Sequence, residues 1–177
     1  MKLIILDRDG TINHDSDDFI KSPEEWKPIK GSLEGIARLT QAGYRIAVAT
    51  NQSGIARGKL DTRTLFAIHD TLNRALAQVG GRIDAFFFCP HAADAGCACR
   101  KPQPGMLLEI ARRFIVPLGE ATMVGDAKRD LEAAAAAGAK PVLVLTGKGA
   151  KTRTEGGLPP GTRIFPDLAA FAEQLAP

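Results

Sequence analysis

The stretch "KLIILDRDGT" (residues 2–11) sets a short apolar run directly against a turn that carries two aspartates. Consecutive apolar residues without polar alternation read as a strand covered on both faces, here over 2–6, and strands of that kind belong to parallel sheets. Parallel strands need crossover helices, and the rest of the chain supplies them. Helical periodicity runs over 32–42, with Ser32 as its expected N-cap and Gly43 past its end, and a second strand follows over 44–49. Leu65, Ile68, Leu72, Leu76 and Val79 recur at helical spacing within 62–79, which stops at Gly80-Gly81. Further strands are expected over 83–88, 121–124 and 141–145, with helices over 105–114 and 127–137.

Right-handed βαβ crossovers then give an α/β fold, a three-layer doubly wound parallel sheet in a single domain over 1–177. In such sheets the ligand crevice lies beyond the carboxyl ends of the strands. The polar clusters fall there: "DRDGT" after the first strand, "TNQSG" after the second, "CPH" after the third and "GDAKRD" after the fourth. The segment 146–162, rich in Gly, Pro, Lys and Thr, reads as a mobile surface loop. A short strand around Ile164 and a helix over 167–175 close the fold. The gaps after the first and second strands leave no room for an inserted cap domain.

The 23 basic and 20 acidic residues are scattered, giving a net charge of +3 without a basic block that could track a nucleic-acid backbone. No segment approaches the roughly 18 apolar residues of a membrane span, and no cleaved signal is expected. The expected partner is a small phosphorylated molecule, not nucleic acid or membrane, and the chain is expected to be monomeric. Three cysteines at spacings of eight and two suit a metal better than a disulfide framework, which favours a reducing cytoplasm.

Asp7 and Asp9 sit two apart at a strand end, so an extended backbone would put both on one face. Close carboxylates repel unless a cation joins them, and with Asp126 they make an oxygen set suited to Mg²⁺. The alternative for "DxDGT" taken alone is a pair of turn-capping aspartates. Thr50 at the end of the second strand and Lys101 add a hydroxyl and an ammonium suited to a phosphoryl group, although singly each is an ordinary strand-end or surface residue.

"DRDGT", "ATNQSG", "RKP" and "GDAKRD", in that order, resemble the four motifs of the haloacid-dehalogenase superfamily. The resemblance implies that Asp7 attacks phosphorus to form an aspartyl-phosphate, while Asp9 protonates the leaving alcohol and then activates water. It places Thr50 and Lys101 around the transferring group, and Mg²⁺ on Asp7, the Asp9 carbonyl and Asp126, with Asp130 orienting the cluster. A receiver-type signalling module shares the acidic pocket but lacks an acid two residues after the phosphorylated Asp.

Cys89, His91, Cys97 and Cys99 form a C-x-H-x₅-C-x-C set, the composition of a closed structural zinc site. The spacing is tighter than in zinc fingers, and ordinary thiols are the alternative. Such a zinc would fix the backbone just before Arg100 and Lys101. With "DRDGTIN", "TNQSGIARG" and "CRKPQPGML", this loop resembles the D-glycero-D-manno-heptose 1,7-bisphosphate 7-phosphatase family, whose members act in lipopolysaccharide precursor synthesis. Histidinol-phosphate phosphatases share the loop but carry Asp-Gly where this chain has "SGIARG". The resemblance puts substrate contacts at Asp15, Ser16, Asp17, Asp18, Thr50, Asn51, Gln52, Ser53, Arg100 and Lys101. It departs at Ala127, where the family often has Lys; here the basic side chain comes one position later, at Lys128.

Overall fold

Strand β1 (Leu3–Leu6) is buried along its whole length, and its side chains divide between two cores. Ile4 and Leu6 enter one cluster while Leu3 and Ile5 enter the other, as the two-residue period of a strand requires. The same division holds in β2 (Arg45–Asn51), where Ile46 and Val48 face the first core and Ala47 and Ala49 the second. In the computed structural model, which describes residues 2–177, β3 (Ala85–Cys89), β4 (Thr122–Gly125), β5 (Lys140–Val144) and β6 (Arg163–Phe165) complete a six-stranded sheet.

Its order is β3-β2-β1-β4-β5-β6, and every neighbouring pair is parallel. Helices α1 (Ser32–Gln41) and α2 (Thr62–Gln78) cover the first face through Ile36, Leu39, Leu65, Ile68, Leu72 and Leu76. The other face is covered by α3 (Gly105–Phe114) and α4 (Lys128–Ala137), whose small Ala133 and Ala134 let α4 approach the sheet closely. The expected three-layer doubly wound sheet is therefore the fold. The strand order reverses at β1 and β4, so the carboxyl ends of these two strands flank the switch-point crevice.

Two details differ from the sequence reading. Ser32 is the first residue of α1 and not its N-cap; Gly31 occupies that place with φ +83°, and the Ser32 hydroxyl instead donates to the Thr11 carbonyl at 3.0 Å, tying the loop after β1 to α1. The segment expected to be a mobile loop contains helix α5 (Gly149–Glu155). Tertiary bonds override its loop-like composition: the Thr146 hydroxyl donates to the Gly10 carbonyl at 2.7 Å, and the Thr152 hydroxyl donates to the Asp126 carbonyl at 2.8 Å. The last helix, α6 (Leu168–Leu175), begins as expected at Asp167, whose carboxylate accepts from the Ala170 N–H at 2.8 Å. Among the described residues no helix is long and apolar enough to cross a membrane.

Candidate active site

Asp7 follows β1 and Asp126 follows β4, so the switch point brings their carboxylates together with that of Asp130 from the first turn of α4. One oxygen from each lies within 4.8 Å of the others. Burial, then the neighbouring Asp7 and Asp130, pushes Asp126 up to about 8. Burial and Asp130 likewise raise Asp7 to about 6, against the pull of Lys101. Three buried carboxylates are stable as anions only beside cations. Lys101 supplies one positive charge, pairing with Asp7 Oδ1 at 2.9 Å and Asp130 Oδ1 at 2.7 Å. Asp126 Oδ1 remains buried without a hydrogen-bond partner among the described residues. A hard divalent cation fits that orphaned oxygen and its carboxylate neighbours.

The carboxylate that crowds Asp7 is thus not Asp9, as their spacing suggested, but Asp130 and Asp126. Asp9 is held apart by a fork from Arg8, with Nε to Oδ1 at 3.0 Å and Nη2 to Oδ2 at 3.3 Å. Asn13 Nδ2 and Gln52 Nε2 donate to the same carboxylate at 2.9 and 3.1 Å. Burial alone would raise Asp9, but Arg8 and these amides outweigh it and hold its pKa below the usual value. Arg8 is itself fully buried, and its Nη1 donates to His69 Nε2 at 3.3 Å. His69 stacks on Phe86 with centroids 4.2 Å apart, and burial and the Arg8 charge push its pKa down to about 3, so it stays a neutral acceptor.

Asp7 and Asp9 both line one cavity, which is also lined by Asp15, Ser16, Asp17 and Ser53. Asp18, expected beside them, does not line it; its carboxylate pairs with Lys21 at 3.0 Å and Lys59 at 3.8 Å, because the turn at 16–19 carries it outward. Thr50 is buried and its hydroxyl accepts from Gln52 Nε2 at 2.9 Å. Asn51 lines the cavity and also clamps Lys101, donating to its carbonyl and accepting from its N–H, each at 3.0 Å.

Cys89 ends β3, and its Sγ lies 3.7 Å from Cys97 Sγ, 3.1 Å from Cys99 Sγ and 3.4 Å from His91 Nδ1. All four ligand atoms lie within 4.8 Å of one another. Three sulfurs and one imidazole gathered this tightly fit a tetrahedral zinc ion, whose bonds of about 2.0–2.3 Å demand separations of this order. Burial pushes the Cys89 thiol up to about 12. Burial opposes ionisation of Cys97 too, but the Arg100 N–H and the neighbouring thiols pull it down to about 6.

The sequence reading missed Arg8, His69, Arg129 and Lys148. A histidine within the apolar stripe of α2 was the available signal for His69. Lys148 was hidden in the segment taken for a mobile loop, where its N–H donates to Asp126 Oδ2 at 2.7 Å and its ammonium pairs with Asp15 at 3.3 Å.

An α/β sheet with a buried aspartate cluster at its switch point is the arrangement expected of a haloacid-dehalogenase-like hydrolase, and the HAD-hydrolase-like family profile matches residues 98–171. The D-glycero-beta-D-manno-heptose-1,7-bisphosphate 7-phosphatase of Bordetella bronchiseptica is 63% identical over 99% of this chain and 98% of its own length. That of Pseudomonas putida is 56% identical over 99% of each chain. The crystal structure of the B. bronchiseptica D,D-heptose 1,7-bisphosphate phosphatase, complexed with magnesium and phosphate, superposes with a TM-score of 0.97 over 99% of this chain and 98% of that one. The Burkholderia thailandensis enzyme, 50% identical and covered to 98%, gives 0.78 over 99% of this chain. The chain belongs to the D-glycero-beta-D-manno-heptose-1,7-bisphosphate 7-phosphatase family.

The packing around Asp126 makes a direct prediction. A Cβ on Gly147 would meet Asp126 Oδ2 and the Gly10 Cα, and the residue has φ +55°, which favours glycine. Gly147→Ala is expected to weaken Mg²⁺ binding by about tenfold or more, the equivalent of about 1.4 kcal/mol, when titrated by calorimetry. An unchanged affinity would show that the segment relaxes without disturbing Asp126.

Proposed function

We propose that the chain hydrolyses the 7-phosphate of D-glycero-D-manno-heptose 1,7-bisphosphate, in the synthesis of nucleotide-activated heptose for lipopolysaccharide. The observation that carries this reading is the buried Asp7–Lys101–Asp130 arrangement beside Asp126, in a chain 63% identical to an enzyme of that name. The free Asp7 oxygen attacks phosphorus, forming the aspartyl-phosphate as the ester P–O bond breaks, and Asp9 delivers a proton to the departing sugar oxygen. Asp9 then takes a proton from water, which attacks the same phosphorus and releases inorganic phosphate and the Asp7 carboxylate.

The resting Asp9, held as a carboxylate by Arg8, is in the form that accepts this second proton. An arriving phosphate dianion raises its proton affinity for the first step. Thr50 and Lys101 hold the transferring phosphoryl group, and Asp15, Ser16, Asp17, Gln52 and Ser53 border the sugar. Mg²⁺ on Asp7, the Asp9 carbonyl and Asp126 would neutralise charge on the phosphoryl oxygens. Asp130 braces this cluster, because its Oδ1 pairs with Lys101 and its Oδ2 accepts from the Ala127 N–H at 3.0 Å. A receiver module is disfavoured by Asp9, a second carboxylate in the same cavity.

Zinc on Cys89, His91, Cys97 and Cys99 is structural in this reading, since four protein ligands leave no open position for water. The three cysteines are free thiols, which suits metal binding in a reducing cytoplasm.

Asp7→Asn is expected to lower phosphate release from heptose 1,7-bisphosphate by on the order of 10⁴-fold or more, with no radiolabelled phosphoenzyme after rapid quench. Substantial residual turnover would remove Asp7 as the nucleophile. Side-by-side assay of the unaltered protein should favour heptose bisphosphate over histidinol phosphate; the reverse preference would move the chain to the other substrate. Stripping zinc while resupplying Mg²⁺ should lower activity and increase amide exchange over 89–101 together, and full activity with unchanged exchange would contradict a zinc-supported loop.

A further inference from the structure

His69 is a polar side chain set in the apolar stripe of α2, between the core residues Ile68 and Leu72. It is buried, as is Arg8, and neither residue borders the catalytic cavity. Its ring lies against Phe86 of the edge strand β3 at an interplanar angle of 15°. An apolar ring would stack there as well, so packing alone does not account for an imidazole at this place. The polar contact that it makes is with Arg8 Nη1, at 3.3 Å. A guanidinium has no lone pair to offer, so His69 Nε2 is the acceptor, the ring is neutral and its proton sits on Nδ1.

Arg8 grips Asp9 from the side, with Nε on one carboxylate oxygen and Nη2 on the other. Each oxygen takes one further donor, Asn13 Nδ2 on Oδ1 and Gln52 Nε2 on Oδ2. Arg8 is therefore the group that fixes both oxygens at once, which sets the plane of the carboxylate as well as its place. The Arg8 backbone is held by the turn, where the N–H groups of Thr11, Ile12 and Asn13 all donate to its carbonyl. The side chain beyond it is flexible, and its remaining nitrogen, Nη1, is fixed from outside by His69. Without that acceptor Nη1 becomes a buried donor with no partner, and the guanidinium is favoured to turn away from Asp9 to find one. A carboxyl group that passes protons to and from a substrate oxygen works only while it keeps its direction.

We propose that His69 is a positioning residue for the reaction: from behind the cavity it holds the Arg8 fork, and through that fork the direction of the Asp9 carboxyl group, without touching substrate. The inference rests on the reading of Asp9 as the acid and base of the reaction. The competing role is packing between α2 and β3, in which the ring face on Phe86 matters and Nε2 does not.

Phosphate release should be compared for the unaltered protein, Asp9→Asn, His69→Phe and His69→Gln on two substrates. The sugar oxygen of heptose 1,7-bisphosphate needs a proton to depart, whereas the phenolate of p-nitrophenyl phosphate departs without one. His69→Phe keeps a ring to stack on Phe86 and removes the acceptor. It is expected to lower kcat/KM for the bisphosphate by about tenfold, with a loss on p-nitrophenyl phosphate at least several-fold smaller. His69→Gln gives up the ring but brings an amide oxygen near the position of Nε2, and should recover most of the loss. Should His69→Phe fail to fold, His69→Leu carries the same expectation. Equal losses on both substrates, no loss on the bisphosphate, or no recovery in His69→Gln would overturn the assignment and leave packing as the role of the ring. Asp9→Asn is the reference: a loss that is the same on both substrates there would remove the reading of Asp9 as the acid, and the inference with it.

Discussion

Lys101 is 1% exposed, and its ammonium lies 2.9 Å from Asp7, 2.7 Å from Asp130 and 2.6 Å from the Ala49 carbonyl. Removing such a charge from water costs several kcal/mol, and it is stable there only because these three oxygens replace its hydration. The contacts join residues far apart in sequence: the end of β1, the carboxyl half of β2, the cysteine-bearing loop and the first turn of α4. Asn51 fixes the Lys101 backbone from both sides, and two residues earlier Cys99 Sγ lies 3.1 Å from Cys89 Sγ. The ammonium therefore connects the buried carboxylates to the loop that carries the thiols.

The two aspartates of "DRDGT" are treated in opposite ways by their surroundings. Asp7 is crowded by carboxylates and is raised to about 6. Asp9 is surrounded by donors and is lowered, with Arg8 as the principal cause opposing burial; Arg8 in turn donates to His69. Adjacent carboxylates whose environments push their pKa values apart are suited to different tasks, in the proposed mechanism attack on phosphorus and proton transfer. The separation depends on Arg8, the residue between them, which the spacing rule ignores.

The fold was legible because β1, β2, β4 and β5 are buried on both faces, so their apolar runs do not alternate. The polar clusters at their carboxyl ends were legible because the topology gathers them at one edge. What sequence could not give was the side-chain direction within those clusters. Spacing put Asp9 beside Asp7, whereas the true neighbours, Asp126 and Asp130, come from another strand and its helix. Composition put 146–162 in a mobile loop, yet Thr146, Lys148 and Thr152 bind Gly10 and Asp126 and order α5. The basic residue expected near Ala127 was sought one position along, whereas helical geometry turns Lys128 outward and Arg129 into the cavity.

A double-mutant cycle on Lys101 and Asp130 tests the buried ammonium most directly. Urea unfolding of zinc-loaded protein would be measured for Lys101→Met, Asp130→Asn and the combined variant. Each single change leaves a buried group uncompensated, so the combined variant should be less destabilised than the sum of the two, by on the order of 1–3 kcal/mol. Strict additivity would contradict the account, because it would mean that Lys101 and Asp130 do not depend on one another in the folded protein.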